Sequence, residues 1–167
     1  MIPASLTSPN TPTFFLETSQ IEAGVAASRS SARGRLMQIL QRDSQCQVQR
    51  LLNFMQPGSY VQPHCHPEPH AIETVTPLQG AIHVWIFDAT GEVQCCRTLL
   101  AGSPTSCLLD MEPGVWHTFA AAEPDTVVLE IKRGPYDAAT DKQFADWAPA
   151  ESAVGAAEYL QRLMLVV

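Results

Sequence analysis

Eight short apolar segments, separated by turn residues, dominate the middle of this 167-residue chain. Each is rich in aliphatic, β-branched or aromatic residues, which favour strands, and Gly, Pro, Asp or Ser separate them. No long helical pattern lies between them, so their spacing predicts an antiparallel sandwich or barrel rather than alternating strand–helix units. The segments are RLMQIL (35–40), QVQRLLNFM (47–55), YVQPHCH (60–66), AIHVWIFD (81–88), EVQCCRTLL (92–100), TSCLLDM (105–111), VWHTFAA (115–121) and DTVVLEIKR (125–133).

The N-terminal part of the chain has a different character. Residues 1–17 contain three prolines and several Ser, Thr and Asn residues, which predicts an irregular lead-in. Ser19 followed by Glu22 is a capping-box pattern, and it predicts a short helix over residues 20–28. We therefore expect one domain over residues 18–167, preceded by the lead-in.

The C-terminal segment PAESAVGAAEYLQRLMLVV has the apolar period of a helix. Val154, Tyr159, Leu160, Leu163 and Val167 fall near one side of it. This pattern predicts a helix docked on the sheet, with a contact between two copies of the chain as the alternative. Because the edges of such a sheet must also be covered, we expect a homodimer.

Composition excludes several classes of partner. The chain has 17 acidic against 10 basic residues, and its only lysines are Lys132 and Lys142, so no basic patch for nucleic acid or an anionic membrane is visible. No apolar run of 18 residues occurs, and the N-terminus lacks the pattern of an export signal. The five cysteines are an odd number without CxxC spacing, which indicates a reduced, cytoplasmic protein.

Three of the five histidines lie between Tyr60 and Gly80. His64 and His66 are two apart on a predicted strand, so their imidazoles project from the same face. Glu73 begins the next extended segment, and His117 follows a Pro-Gly turn at the start of a late strand. Such a set suits a divalent transition ion (Fe, Mn, Ni, Co or Zn) rather than Ca or Mg. The alternative is a polar barrel interior without an ion.

These residues resemble the motifs of the cupin superfamily. The first motif matches at Gly58, His64, His66, Glu73 and Gly80, although six residues separate His66 from Glu73 where the family has three or four. Two residues on this longer bend, Glu68 and His70, are therefore alternative ligands. The second motif keeps the Pro-Gly turn and His117 but has Ala121 in place of its terminal Asn.

A narrower resemblance, to WbuC-type cupin metalloproteins, covers about two thirds of the chain. It rests on QRLLNFMQPGSYVQPHCHP from Gln49, VWHTF around His117, LEIKRGPY from Leu129 and DKQFADWAPAE from Asp141. The resemblance implies a double-stranded β-helix, or jelly-roll, barrel with a short N-terminal helix and a C-terminal helix. It also implies one bound metal ion and an association with bacterial surface polysaccharide synthesis.

Three further residues are candidates for catalysis. Tyr60 falls on the same predicted strand face as His64 and His66, so its phenol could face the cavity; the alternative is a buried tyrosine bonded to the backbone. Glu130 and Lys132 share one face of their strand. If the apolar residues of the other face, Val127, Leu129 and Ile131, pack inward, the pair is a solvated ion pair, and if the pair faces inward it supplies a base and a cation.

Candidates for substrate binding come from two places. His83 alternates with Trp85 and Phe87 and could flank the cavity, with a hydrogen-bonded core histidine as the alternative. The segment RGPYDAATDKQFADWAP (133–149) is predicted to be an ordered loop that closes the barrel mouth. Tyr136 and Lys142 are its candidates for substrate contact.

Three function classes follow from these patterns. The first is a metalloenzyme, such as an isomerase, hydrolase or oxygenase, that acts on a small polar metabolite such as a sugar derivative. The second is a sensor or carrier that binds a small ligand without turnover. The third is a metal-free, sugar epimerase-like cupin in which His64 or His117 is the general base.

Overall fold

Two sheets packed face to face form the body of the protein in a computed structural model that describes residues 5–167. One sheet has six strands and the other has five. The strands are β1 Ser5–Leu6, β2 Arg35–Ile39, β3 Val48–Met55, β4 His64–Cys65, β5 Glu73–Gln79, β6 Ala81–Phe87, β7 Val93–Leu100, β8 Leu109–Met111, β9 Trp116–Ala121, β10 Thr126–Arg133 and β11 Gln143–Phe144. The helices are α1 Thr18–Ser30 and α2 Ala156–Met164.

Strand order follows the pattern of a jelly roll. The six-stranded sheet runs β1-β2-β3-β10-β5-β8, and the five-stranded sheet runs β11-β4-β9-β6-β7. All pairs are antiparallel except β1 with β2. Strands distant in sequence are thus neighbours, and β10 lies between β3 and β5. The predicted β segments are all represented, although YVQPHCH contributes only its His64–Cys65 pair to a strand.

Helix α1 covers the outer face of the six-stranded sheet. Phe54 and Val127 point outward from neighbouring strands and pack with Val25 of the helix. The helix approaches so closely that a Cβ atom at Gly24 would lie 2.5 Å from the Phe54 ring. Because this outer face is buried, its residues are apolar, and the polar residues of the same strands are left to face the barrel interior.

Helix α2 covers the outer face of the five-stranded sheet, as the sequence predicted. Leu160 and Leu163 are buried against Trp85, whose indole N–H donates to the Leu163 carbonyl at 3.1 Å. The predicted apolar side extends too far at both ends, because Val154 is fully exposed and Val167 is 56% exposed. Both lie outside the helical turns, where the 3.6-residue period no longer applies.

The N-terminal segment is more regular than expected. Ser5–Leu6 form a parallel pair with β2. The side chains of Phe14 and Leu16 pack against the buried cluster that contains Val25 and Phe54. Helix α1 begins at Thr18, and the Glu17 backbone N–H donates to the Gln20 side chain at 3.0 Å. The capping box is therefore formed by Glu17 and Gln20, and the prediction that Ser19 and Glu22 form it is wrong. The part of the predicted lead-in at residues 1–4 lies outside the described residues.

The barrel interior has an apolar end and a polar end. Met55, Val75, Ile82, Phe119 and Val128 belong to the buried cluster between the sheets. Polar and charged side chains gather beyond this cluster, where β4, β9 and the first residue of β5 meet. Within residues 5–167, neither helix has the length and apolar character needed to cross a bilayer.

Candidate metal centre

Four predicted ligands come together at the polar end of the barrel. His64 on β4 is paired with His117 on β9, His66 follows β4, and Glu73 is the first residue of β5. All four residues are at most 3% exposed, and one ligand atom of each lies within 4.8 Å of the others. The longer bend after His66 does not displace Glu73. The alternative ligands Glu68 and His70 are exposed and belong to no such group.

Backbone carbonyls fix the tautomer of all three imidazoles. The Nδ1 atoms of His64 and His117 lie 2.9 Å from the carbonyl oxygens of Gln62 and Val115, and Nδ1 of His66 contacts the carbonyl of Asp141. A carbonyl oxygen only accepts hydrogen bonds, so each Nδ1 must carry a proton. In the neutral ring the lone pair is then on Nε2, which is the arrangement that orients histidine for a metal ion.

The resulting cluster contains acceptors and lacks a donor. One oxygen of Glu73, Oε2, lies 3.1 Å from Nε2 of His66 and 3.1 Å from Nε2 of His117. These contacts are hydrogen bonds only if the imidazoles are doubly protonated, and Nε2 of His117 has no hydrogen-bonding geometry with any residue between 5 and 167. Convergent lone pairs at a buried carboxylate need a cation, and a divalent metal ion fits this donor set.

Burial and neighbouring charge shift the pKa values of two members of the cluster. Burial, with a smaller contribution from the ammonium of Lys142, holds the pKa of His64 well below its ordinary value. Burial alone would raise the pKa of Glu73, but its contacts with the imidazoles of His117 and His66 lower it well below its ordinary value. A neutral His64 and an ionised Glu73 are the forms that bind metals.

A cavity of about 710 Å³ opens beside the cluster, and His64 is part of its wall. Strands β2, β3 and β10 and the segment after β10 supply most of the residues that line it. The predicted candidates Glu130, Lys132, Tyr136 and Lys142 all line it. This volume holds a small metabolite rather than a polymer.

Glu130 is a buried acid of the cavity whose pKa is strongly shifted. It is 7% exposed, and the side-chain amide of Asn53 donates to its Oε1 atom. Burial, followed by the nearby charge of Glu73, raises the pKa of Glu130 from 4.5 to about 7. Such a carboxyl group can both hold and release a proton near neutral pH.

Glu130 and Lys132 face inward because α1 takes up the other face of β10. Lys132 is 7% exposed, and its ammonium lies 2.5 Å from a carboxylate oxygen of Asp141, so the solvated ion pair is not what the structure contains. Gln49 also donates to this carboxylate, at 3.3 Å. Since the Asp141 carbonyl contacts His66, this one residue connects the loop, the cavity cation and the ligand cluster.

The loop after β10 is anchored directly to the strand that carries His64. Gln143 and Phe144 form β11 and pair with Cys65 and His64. The Phe144 ring lies 6.1 Å from the His64 ring, measured between centroids. Tyr136 is 50% exposed at the rim, and Lys142 is partly buried.

Two predicted site residues lie away from the cavity. The hydroxyl of Tyr60 donates to the Pro149 carbonyl at 2.9 Å, and its ring packs with α2 in the outer cluster. The expected position on the face of His64 and His66 is wrong because residues 60–63 are not a strand, so alternation cannot be counted through them. His83 is on the outer face of β6, where Nδ1 lies 2.9 Å from the Thr98 hydroxyl, so the expectation that it flanks the cavity is also wrong.

Sequence reasoning missed several polar residues of the cavity. Arg35 is 6% exposed, donates to the Tyr60 carbonyl at 2.8 Å and forms an ion pair with Glu151. Asn53 holds Glu130, and Asp141 holds Lys132. Strand alternation puts Arg35 on the same face as Met37 and Asn53 on the same face as Leu51, and this pattern was available in the sequence. No sequence pattern indicated the partners of Arg35 and Asn53, which lie 116 and 77 residues away.

Comparison with known proteins gives a family and a fold. Residues 16–99 match the family described as "Domain of unknown function (DUF6016)". No curated protein matches the chain. Among solved structures, an oxalate oxidase in complex with the substrate analogue glycolate has a TM-score of 0.52 at 16% identity, with 69% of this chain and 57% of that chain covered. This likeness confirms the all-β cupin jelly-roll fold.

Two other similar structures have lower TM-scores. KdgF from Halomonas sp. has a TM-score of 0.48 at 20% identity, over 63% of this chain and 82% of that chain. Oxalate decarboxylase from Bacillus subtilis has a TM-score of 0.48 at 18% identity, over 60% of this chain. The chain spans about a quarter of the decarboxylase's length and somewhat over half of the oxidase's length.

Proposed function

The chain belongs to the DUF6016 family, and we propose that it is a metal-dependent cupin enzyme acting on a small polar metabolite in the barrel cavity. One observation carries the proposal: His64, a member of the four-ligand cluster, forms part of the wall of a cavity that also contains a buried acid with a pKa near neutrality. The WbuC resemblance favours a sugar-derived metabolite of surface polysaccharide synthesis.

His64, His66, Glu73 and His117 are the residues that would hold the ion. Four ligands leave coordination positions on a metal that takes five or six, and a bound ion would act as a Lewis acid toward a substrate oxygen. The carbonyl bonds at Nδ1 keep the Nε2 lone pairs aimed at one point, so little reorganisation is needed on loading.

The other cavity residues bind substrate and move a proton. Glu130 is the general acid or base, because its raised pKa makes both protonation states available near neutral pH. Asn53 orients its carboxyl group, and Lys132 is held in the wall by Asp141. Tyr136 and Lys142 stand at the mouth, where a substrate entering the cavity would meet them.

A matched pair of glutamate variants tests the metal site. Glu73→Gln removes the buried carboxylate, and Glu68→Gln removes an exposed one five residues earlier. We expect elemental analysis of untagged protein to find about one ion per chain in the parent and in Glu68→Gln, and a large loss in Glu73→Gln. Equal metal content in both folded variants would contradict the assignment.

Turnover separates the enzyme from its alternatives. Metal-loaded protein would be incubated with sugar-derived candidates that raise its melting temperature, and products would be followed by NMR. We expect Glu130→Gln to bind the same compound but to lose at least 100-fold in rate, the usual contribution of a general acid or base. Binding without turnover in the parent protein would favour the sensor or carrier, and turnover without metal would favour the epimerase-like class.

A further inference from the structure

The charges around the cavity do not cancel, although the whole chain carries a net charge of −7. Four cationic side chains line the cavity, against three carboxyl groups. Arg33 and Arg35 share the single carboxylate of Glu151, and Lys132 is paired with Asp141. The third carboxyl group that lines the cavity belongs to Glu130. A cationic excess in a cleft of an acidic protein focuses the electrostatic potential on that cleft and attracts small anions.

Lys142 is the cation without a carboxylate partner. It lines the cavity, and it forms no ion pair with any residue in the part of the chain that the structure describes. Lys142 lines the same cavity as His64 and Glu130. Its ammonium is therefore available to pair with a negatively charged group of the ligand.

Asn53 presents the second unmet polar group. Its side chain is buried, lines the cavity and donates to Glu130. The amide oxygen, Oδ1, has no hydrogen-bond partner within residues 5–167. A buried acceptor without a donor is destabilising, and a ligand hydroxyl would satisfy it.

From these two groups we infer that the cavity binds a small hydroxylated carboxylate. Its carboxylate pairs with Lys142, and one of its hydroxyl groups donates to Oδ1 of Asn53. This inference rests on the proposed function and names its substrate class. A phosphate dianion fits less well, because the guanidinium groups that usually bind it are already engaged by Glu151. A volume of about 710 Å³ accommodates a chain of about six carbons.

Three six-carbon probes separate the role of charge from the role of hydroxyl groups. Gluconate has both, sorbitol has the hydroxyl groups without the carboxylate, and hexanoate has the carboxylate without hydroxyl groups. Cobalt-loaded protein would be titrated with each by calorimetry, with the visible cobalt spectrum as a second readout. We expect gluconate to bind at least about tenfold more tightly than either analogue, since one good charge pair or hydrogen bond contributes about that factor.

Two variants assign the two contacts. Lys142→Met should abolish the preference for gluconate over sorbitol, and Asn53→Leu should abolish the preference for gluconate over hexanoate. Arg97→Met is the control, because it removes a positive charge from an exposed position on β7 and should leave both preferences intact. A Lys142→Arg variant, which keeps the charge, should retain most of the affinity for gluconate.

Metal content is measured first, so that failure of the metal site and failure of the ligand class are distinguished. If the parent protein does not retain cobalt, the proposed function fails and the ligand class falls with it. If cobalt is retained and sorbitol binds as tightly as gluconate, or no probe binds, the hydroxylated carboxylate is wrong while the metal site stands. Tight binding of glucose 6-phosphate without binding of gluconate would overturn the carboxylate in favour of a phosphate ester.

Discussion

Replacement of Glu130 by glutamine should make the metal-free protein more stable at alkaline pH, although it removes a residue of the proposed site. The pKa of this carboxyl group is 4.5 ordinarily and about 7 in the folded protein. A difference of that size corresponds to a free energy on the order of 3 kcal/mol between the two protonation states. The fold favours the neutral form of Glu130. The contribution of this residue to the free energy of unfolding is therefore fully present below its pKa in the unfolded chain, and it is lost as pH rises through its pKa in the folded protein.

Glutamine has the same shape, keeps an acceptor for Asn53 and does not ionise, so the variant lacks this loss. We expect the difference in unfolding free energy, variant minus parent, to increase by about 3 kcal/mol between roughly pH 4 and pH 8. The assay is urea unfolding in a chelator, followed by the fluorescence of the tryptophans, one of which, Trp85, is fully buried.

A stability difference that stays constant over this range would refute the reasoning, since it would mean that Glu130 titrates alike in the folded and unfolded states. Excess zinc supplies an internal check. A cation bound beside Glu73 should favour ionisation of Glu130. The difference in unfolding free energy between variant and parent should then depend less on pH. If zinc leaves the pH dependence unchanged, the ion is not bound near Glu130.

Four other predictions address separate parts of the molecule. Alanine at both His64 and His117 should abolish stoichiometric metal in elemental analysis, and a folded double variant that keeps its ion would disprove the ligand set. Asp141→Ala should expose residues 134–147 to protease, because it removes the side-chain tie to Lys132 while keeping the carbonyl that contacts His66; unchanged digestion would contradict this tie. Tyr60→Phe should cost about 1 kcal/mol in urea unfolding without changing ligand affinity, and weaker ligand binding would restore Tyr60 to the cavity. Light scattering over a concentration series should show a homodimer, and a monomer throughout would rule it out.

The metal ligands could be predicted because their spacing survives the folding of the chain. His64 and His66 flank one residue, and the Pro-Gly turn places His117 at the start of β9, where it pairs with His64. Glu73 is the first residue of β5 whatever the length of the bend before it. A longer bend in a loop adds residues at the surface and leaves the strand ends where the sheet requires them.

The direction in which side chains face was harder to predict. On β10, alternation separates Val127 and Leu129 from Glu130 and Lys132 but does not say which set faces inward. The answer depends on α1, which buries Val127 and Leu129 from a segment about a hundred residues earlier. His83 was misplaced for the corresponding reason, since α2 makes the outer face of β6 an apolar surface. Periodicity describes one strand, whereas burial depends on what the rest of the chain packs against it.

The ligand cluster draws on both layers of the barrel. His64 and His117 belong to the five-stranded sheet, and Glu73 belongs to the six-stranded sheet. An ion bound in the cluster would therefore join the layers at the polar end of the barrel, and its binding free energy would be added to that of the fold. Chains made when the metal is scarce should then be degraded faster than loaded chains. The cellular amount of the protein would follow the supply of its metal without any change in expression of its gene.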